Sequence, residues 1–285
     1  MKSKLAKQLF SLIFCLFITL HAANAENSTQ EKRASLTFGV LPIISTHKLI
    51  KRFSPLSDFL SECLGVEIIL ETAPNYKKFM QRSNSEKRYD ILFTAPHFYY
   101  LAEQQAGYKV VVRIAAPELV SIIAVNKESS INSVRELKNR TLSTTDPLAL
   151  NTALTRELLF LSGLNPDKDL TLITTPTHNA SLLSAYKNIT DAASLMLPPY
   201  KRANKEIRSN MRIIAKTKGV PHMPISVAPW LSQKEIKNIT KALLGLDSTI
   251  AGKKILKTMR WPGITKATSA EYADLDWALK YLKLD

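Results

Sequence analysis

Tyr89-Asp90-Ile91-Leu92-Phe93-Thr94-Ala95-Pro96-His97 passes from a short apolar run through a polar turn into a segment opened by proline. Proline suits the first turn of a helix, where its missing N–H would have had no partner anyway. The same succession recurs three times. Leu36–Leu41 runs into Pro42-Ile43-Ile44-Ser45-Thr46-His47, Thr141–Ser143 into Thr144-Thr145-Asp146-Pro147, and Thr171–Thr174 into Pro176-Thr177-His178-Asn179. Further β-branched runs at Val66–Leu70, Lys109–Ile114, Val120–Val125, Ala193–Leu197 and Met211–Ala215 read as strands, with segments of helical spacing between them. Such alternation predicts an α/β protein with parallel or mixed sheets covered by helices. In open sheets of that class, ligands sit outside the carboxyl ends of the strands. Helix N-termini there offer unpaired N–H groups and partial positive charge, which suits an anion. Hydroxyls of Ser45, Thr46, Thr94, Thr144 and Thr145 would add donors at the same level. Taken singly, each loop is also an ordinary capped helix start.

From Ser232 onward the pattern predicts three helical segments, Ser232–Leu244, Asp247–Met259 and Ala270–Leu282, with no strand between them. Ser133 with Glu136, Ser232 with Glu235, and Thr268 with Glu271 each fit the capping box. Pro55, inside the helical stretch from Lys48 to Leu64, is expected to kink or restart it.

Lys2, Lys4 and Lys7 precede an unbroken apolar stretch from Leu9 to Leu20, and Ala23-Asn24-Ala25 follows as a small-x-small site. Residues 1–25 therefore read as a cleavable signal peptide, the apolar stretch being short for a bilayer span. The mature chain is expected to be exported. Cys63 is then the one cysteine of the mature chain, so no internal disulfide is expected and the core must hold unaided. The formal net charge of +15 is spread along the chain, as in Lys51-Arg52 and Lys201-Arg202. That dispersion reads as a solvated basic surface, and with export it argues against nucleic acid. A basic field would help gather an anionic ligand. There is no G-x-S-x-G, H-E-x-x-H or paired-cysteine motif, so the chain is not read as an enzyme. His47, His97 and His178 all fall in the predicted loops and raise a metal or metal-complex site, but no compact ligand pair supports it. No cofactor is expected. Trp230, Trp261 and Trp277 read as packing anchors.

The order of these features resembles the phosphonate/phosphite-type periplasmic substrate-binding proteins of ABC transporters, with their type II periplasmic-binding-protein fold. The likeness runs through Gly39-Val40-Leu41-Pro42, Pro55 to Leu60, Leu64-Gly65-Val66 and Ala73-Pro74-Asn75-Tyr76. It continues in Tyr89 to Pro96 with Leu101-Ala102, Leu137-Lys138-Asn139-Arg140-Thr141, His178 to Leu183 and Asp191-Ala192-Ala193. Gly252 to Leu256 and Tyr272 with Leu275 close the series. The resemblance implies two lobes, each a mixed sheet flanked by helices, with a hinge between them. Residues 35–117 plus 225–285 would form the first lobe and 118–224 the second, crossing near Ala115–Ser121 and Val220–Val227. It also implies a small, anionic ligand clamped in the interlobe cleft and handed to the membrane permease of an ABC transporter. Presentation to a membrane sensor kinase stays open as an alternative partner, as does carriage of a metal complex.

The residues expected to line that cleft are Pro42, Ser45, Thr46, Tyr76, Thr94, Ala95, Pro96, His97, Thr144, Thr145, Asp146, His178, Asn179 and Asp191. Tyr76 and His178 stand where the family carries ligand-facing residues. The stretch Asp146-Pro147-Leu148-Ala149-Leu150-Asn151-Thr152 departs from the family's hydroxyl cluster. A carboxylate at Asp146 would oppose a dianion. A small anion or polar solute other than phosphonate itself is the expectation there.

Overall fold

The computed structural model describes residues 33–282; the predicted signal peptide lies outside them. The chain opens with strand β1 (Ser35–Val40), helix α1 (Thr46–Leu64), β2 (Glu67–Glu71), the short α2 (Tyr76–Met80), β3 (Ile91–Phe93), α3 (Pro96–Ala106) and β4 (Lys109–Ile114). It then crosses to β5 (Ser121–Asn126), β6 (Thr141–Thr144), α4 (Leu150–Leu161), β7 (Thr171–Thr174), α5 (His178–Tyr186), β8 (Ala192–Met196), the short α6 (Leu197–Lys201) and α7 (Lys205–Ser209), and β9 (Met211–Lys216). It returns through β10 (Pro224–Val227), α8 (Gln233–Leu244), α9 (Ile250–Met259), β11 (Ile264–Lys266) and the single turn α10 (Asp276–Leu279).

Two mixed sheets result, ordered β11-β4-β10-β3-β1-β2 and β7-β6-β8-β5-β9. In each, the strands that feed helices run parallel: β1 with β2 and β3, and β6 with β7 and β8. The returning strands β10 and β9 pair antiparallel with their neighbours. The chain passes between the sheets twice, and the two crossings meet in an antiparallel bridge between Leu119 and Val220. This is a mixed α/β architecture of two sheets flanked by helices, joined by a pair of crossings.

The same device fixes the central pair of strands in both sheets. Asp90 precedes β3 and its Oδ2 accepts from the Thr37 N–H at 2.8 Å and from Thr37 Oγ1 at 3.1 Å. Asp191 precedes β8 and its Oδ2 accepts from the Thr141 N–H at 2.8 Å and from Thr141 Oγ1 at 2.7 Å. Each threonine hydroxyl in turn accepts from the aspartate's own N–H. A carboxylate gripping backbone and hydroxyl together pins register where the ladder alone would allow slip. Around the first sheet Phe38, Phe53, Phe79 and Phe93 are almost wholly buried. Around the second the core is smaller and aliphatic, built on Ile123, Val125, Leu142 and Leu159.

Several local expectations need correction. A strand does interrupt the C-terminal helices: β11 pairs antiparallel with β4, at the open edge of the first sheet. Its three residues are too few to show a period. The last predicted helix is instead a 3₁₀ run, Ser269–Leu275, followed by α10, because Asp274 leaves helical geometry at φ −88°, ψ 25°. Residues 224–227, placed at a crossing by sequence, belong to the first sheet as β10 between β3 and β4; Pro224 is tolerated there as the strand's first residue. Helix α1 runs unbroken through Pro55. The carbonyl that loses its donor belongs to exposed Lys51, where solvent can replace it. Capping boxes close at Ser232 and Thr268. At Ser133 the Glu136 carboxylate bonds instead to the Asn132 N–H and the Ser133 hydroxyl, and only a 3₁₀ turn follows.

Candidate functional site

Between the two sheets lies a cleft of about 550 Å³. Its wall is built from segments that leave the carboxyl ends of strands. Ile43 and Ile44 follow β1, Ala95 to Phe98 follow β3, Ala149 to Asn151 follow β6, and His178 follows β7. Ala116, Leu119, His222 and Met223 come from the two crossings, so the crossings themselves form part of the wall. Both α3 and α4 start here. The amides of His97 and Phe98 on one side, and of Leu150 and Asn151 on the other, take no acceptor from the described protein. These are the free first-turn donors that an oxyanion can use.

Of the residues expected from sequence, Tyr76, Ala95, Pro96, His97 and His178 line the cleft. Pro42, Ser45, Thr46, Thr94, Thr144, Thr145, Asp146, Asn179 and Asp191 are not among its lining residues. The reasons are local. Ser45 and Thr46 are exposed at the start of α1, while Thr94 is buried behind the wall. Thr144 and Thr145 face a separate groove, which Arg156 and Tyr281 also line. The Thr144 and Thr152 hydroxyls bond to each other at 3.0 Å, Asn151 Nδ2 donates to Thr144 Oγ1 at 3.0 Å, and Thr152 Oγ1 reaches the Asp146 carbonyl at 2.8 Å. The hydroxyls at the entry to α4 are thus spent on shaping the turn. Asp146 Oδ1 accepts from the Leu148 N–H at 2.8 Å. Asp191 is engaged by Thr141 and faces a polar groove lined also by Arg140 and Asn188.

The ionisable groups of the wall are strongly biased by their surroundings. Burial pushes His97 down to about 4, against the opposing effect of its bond to Leu148. Neutral His97 therefore donates from Nε2 to the Leu148 carbonyl at 3.0 Å, a bond between the two sides of the cleft, and leaves Nδ1 without a partner. Burial and then the positive charge of Arg202 bring His178 down to about 4, and its Nδ1 is likewise shielded and unpartnered. His222 is pushed down to about 4 by burial and then by Arg113. Its Nδ1 accepts from the Met223 N–H at 2.8 Å, which leaves Nε2–H as donor. Tyr76 is raised to about 12 by burial and then by the negative charge of Asp146. Its ring packs edge-on to Phe98 at 5.7 Å, and its hydroxyl stays protonated as a donor. The described residues contain no group of three or more His, Cys, Asp or Glu suited to a metal ion, and His47 is exposed outside the cleft lining.

Sequence reasoning missed the largest charges of the site. Arg52 in α1, Arg202 just after α6 and Arg260 just after α9 all line the cleft, and no Asp or Glu does. Among the described residues none of the three takes part in an ion pair. Arg202 is held below the usual guanidinium range by burial, then by the charges of Arg260 and Arg52. Two of them stood in Lys-Arg pairs that read as solvated surface; nothing local distinguishes them. His222 and Trp261 were missed as well, the first because it lies on a crossing, where sequence does not show which side chains turn toward the cleft.

Comparison with known proteins places the chain. Residues 38–272 match the family model for the periplasmic substrate-binding protein of phosphonate ABC transporters. The phosphonates-binding periplasmic protein of Escherichia coli is 24% identical over 268 residues, covering 90% of this chain and 79% of that protein. Among solved structures, PhnD1 of Prochlorococcus marinus in complex with methylphosphonate superposes with a TM-score of 0.75 at 20% identity, covering 87% of this chain and 97% of that one. The binding-protein component of a phosphonate ABC transporter from Pseudomonas aeruginosa gives 0.73 at 18% identity, over 85% and 84% of the two chains.

Proposed function

The chain belongs to the family of periplasmic substrate-binding proteins of phosphonate ABC transporters, and on that footing we propose that it captures a small anionic solute between its lobes and delivers it to a membrane permease. The family is one of binding proteins rather than enzymes. The observation that carries the anionic reading is the lining itself: three guanidiniums, the free amides of two opposed helix starts and no carboxylate. Such a wall stabilises negative charge by hydrogen bonds already in place and loses little on desolvation.

The lobes divide at the two crossings, close to residues 117 and 225, with the middle of the chain forming the second lobe. Tyr76 and His178, which face the cleft from opposite lobes, act as neutral donors to the ligand, and His97 ties the lobes when they close. The ligand departs when the hinge opens at the permease. Residues 1–25 direct export and are removed. No helix among the described residues is long and apolar enough to cross a membrane, which fits a partner supplying the membrane passage.

A thermal-shift screen over methylphosphonate, phosphite, sulfonates and carboxylates tests this reading. A ligand at about 100 times its Kd stabilises by roughly 2.7 kcal/mol and should raise the melting temperature visibly. A screen in which no anion shifts the transition, while a neutral or cationic solute does, would reject the anionic reading.

A further inference from the structure

The cleft wall divides by chemistry into a charged rim and an aromatic chamber. Trp261, partly exposed in the cleft wall, is backed by the almost wholly buried Phe93 and Phe53, with ring centroids 5.2 Å apart for Phe93–Trp261, 6.0 Å for Phe53–Trp261 and 5.2 Å for Phe53–Phe93. Met259, Met196 and Met223 extend it with polarizable thioethers. The chain joins rim to chamber directly: Arg52 precedes Phe53, and Arg260 precedes Trp261. Arg202 approaches from the other lobe, where it follows α6.

Three features mark the arginines as more than surface charge. They lack carboxylate partners among the described residues, although other arginines and lysines among those residues do form such pairs. His178 Nδ1, buried in the same wall, also has no partner. Arg260 adopts the left-handed conformation, φ 58° and ψ 37°, at the end of α9. Glycine is the usual residue at such a helix end, since a β-carbon is strained there. Retaining a large cation in a strained position points to a use for its side chain. The hydroxyls entering α4, by contrast, are bonded to one another and to the turn.

We infer that the ligand is an organic anion with an aromatic or apolar body, its charged group bridged between Arg202 on one lobe and Arg52 and Arg260 on the other, and its body seated on Trp261. This rests on the capture reading above and names the solute class for the same cleft. Guanidinium forks match phosphonate, sulfonate and carboxylate geometry, and they stack on aromatic planes. The arrangement also couples binding to closure. Like charges facing across the mouth oppose closing, and an anion between them turns that repulsion into attraction.

Isothermal titration of the whole chain with phenylphosphonate, methylphosphonate and benzyl alcohol tests the inference. Phenylphosphonate should bind at least about tenfold more tightly than methylphosphonate, because the ring brings its own apolar area into the chamber. Arg202→Gln and Arg260→Gly should each weaken phenylphosphonate by about tenfold or more, the scale of one lost charge-assisted bond. Arg202 and Arg260 are exposed, so folding is not at risk. The melting temperature of unliganded Arg260→Gly should match or exceed that of the parent, since strain is relieved. Equal affinity for the two phosphonates, or unchanged phenylphosphonate affinity in both variants, would overturn this inference and leave anion capture standing. Benzyl alcohol binding as tightly as phenylphosphonate would overturn the charged half of it. If the parent chain binds neither phosphonate nor any other anion of the screen, this inference and the capture reading fall together.

Discussion

Asp90 and Asp191 show how a single residue can carry family likeness from outside the cleft lining. Each stands before a central strand and grips a threonine of the neighbouring strand through both its N–H and its hydroxyl. Sequence placed Asp191 among the cleft residues; its hydrogen bonds to Thr141 favour a structural role instead. Burial alone would raise its carboxyl, but the bonds from Thr141, together with Arg140, outweigh that and hold it below the usual carboxylate range. Asp191→Ala should therefore cost about 2 kcal/mol in urea denaturation, the scale of a hydrogen bond to a charged group. Ligand affinity should stay unchanged; a large loss of affinity at unchanged stability would return Asp191 to the binding site. His97 makes a different prediction. Its folded value of about 4 lies below its ordinary 6.5, so between those values the unfolded chain binds the extra proton. Its contribution to stability is complete above pH 6.5, shrinks as pH falls, and is gone near pH 4. The melting temperature of His97→Gln, followed over that window, should fall less steeply than that of the parent. Parallel curves would show that His97 titrates normally.

Helix starts were the most legible elements, because a cap is a local contract between residues three apart. Ser232 accepts from the Glu235 N–H while the Glu235 carboxylate takes the Ser232 N–H at 2.7 Å. Ser232→Ala should destabilise by about 1 kcal/mol in thermal or urea unfolding, with no effect on ligand affinity. Strand β11 and the 3₁₀ run after it were not legible. Ile264–Lys266 becomes a strand because the edge of β4 is free to receive it, and no local pattern announces that edge. Pro55 marks the opposite error, a strong local signal overridden. The packing of Leu49, Phe53, Leu56 and Leu60 into the core holds α1 straight enough to continue through it.

At the level of the whole molecule, the parts that join the lobes decide how it works. The C-terminal turn, which sequence assigned to the first lobe, also reaches the second. Lys218 sits 3.7 Å from the centre of the Trp277 ring and 2.7 Å from the Glu157 carboxylate of α4, and Tyr281 lies beside Phe160. The proposed closure would work against a seam of apolar and cation–π contacts as well as across the arginine rim. Small-angle scattering should show a smaller radius of gyration when an anion that binds is added, and no change with a neutral analogue. An unaltered scattering curve at saturating ligand would rule out hinge closure as the capture step.

Strand-helix alternation, capping pairs and the ordered series of family-like segments were enough to specify a two-lobed α/β binding protein, because each depends on neighbours within a few residues. The cleft's chemistry required convergence. Arg52, Arg202 and Arg260 come from distant stretches of chain, and two of them look locally like any solvated lysine-arginine pair. The threonines that promised donors were claimed by their own turn, and the arginines that looked like surface became the charged rim. A side chain's role depends on which partners the fold leaves it, and those partners are set by contacts between segments far apart in sequence.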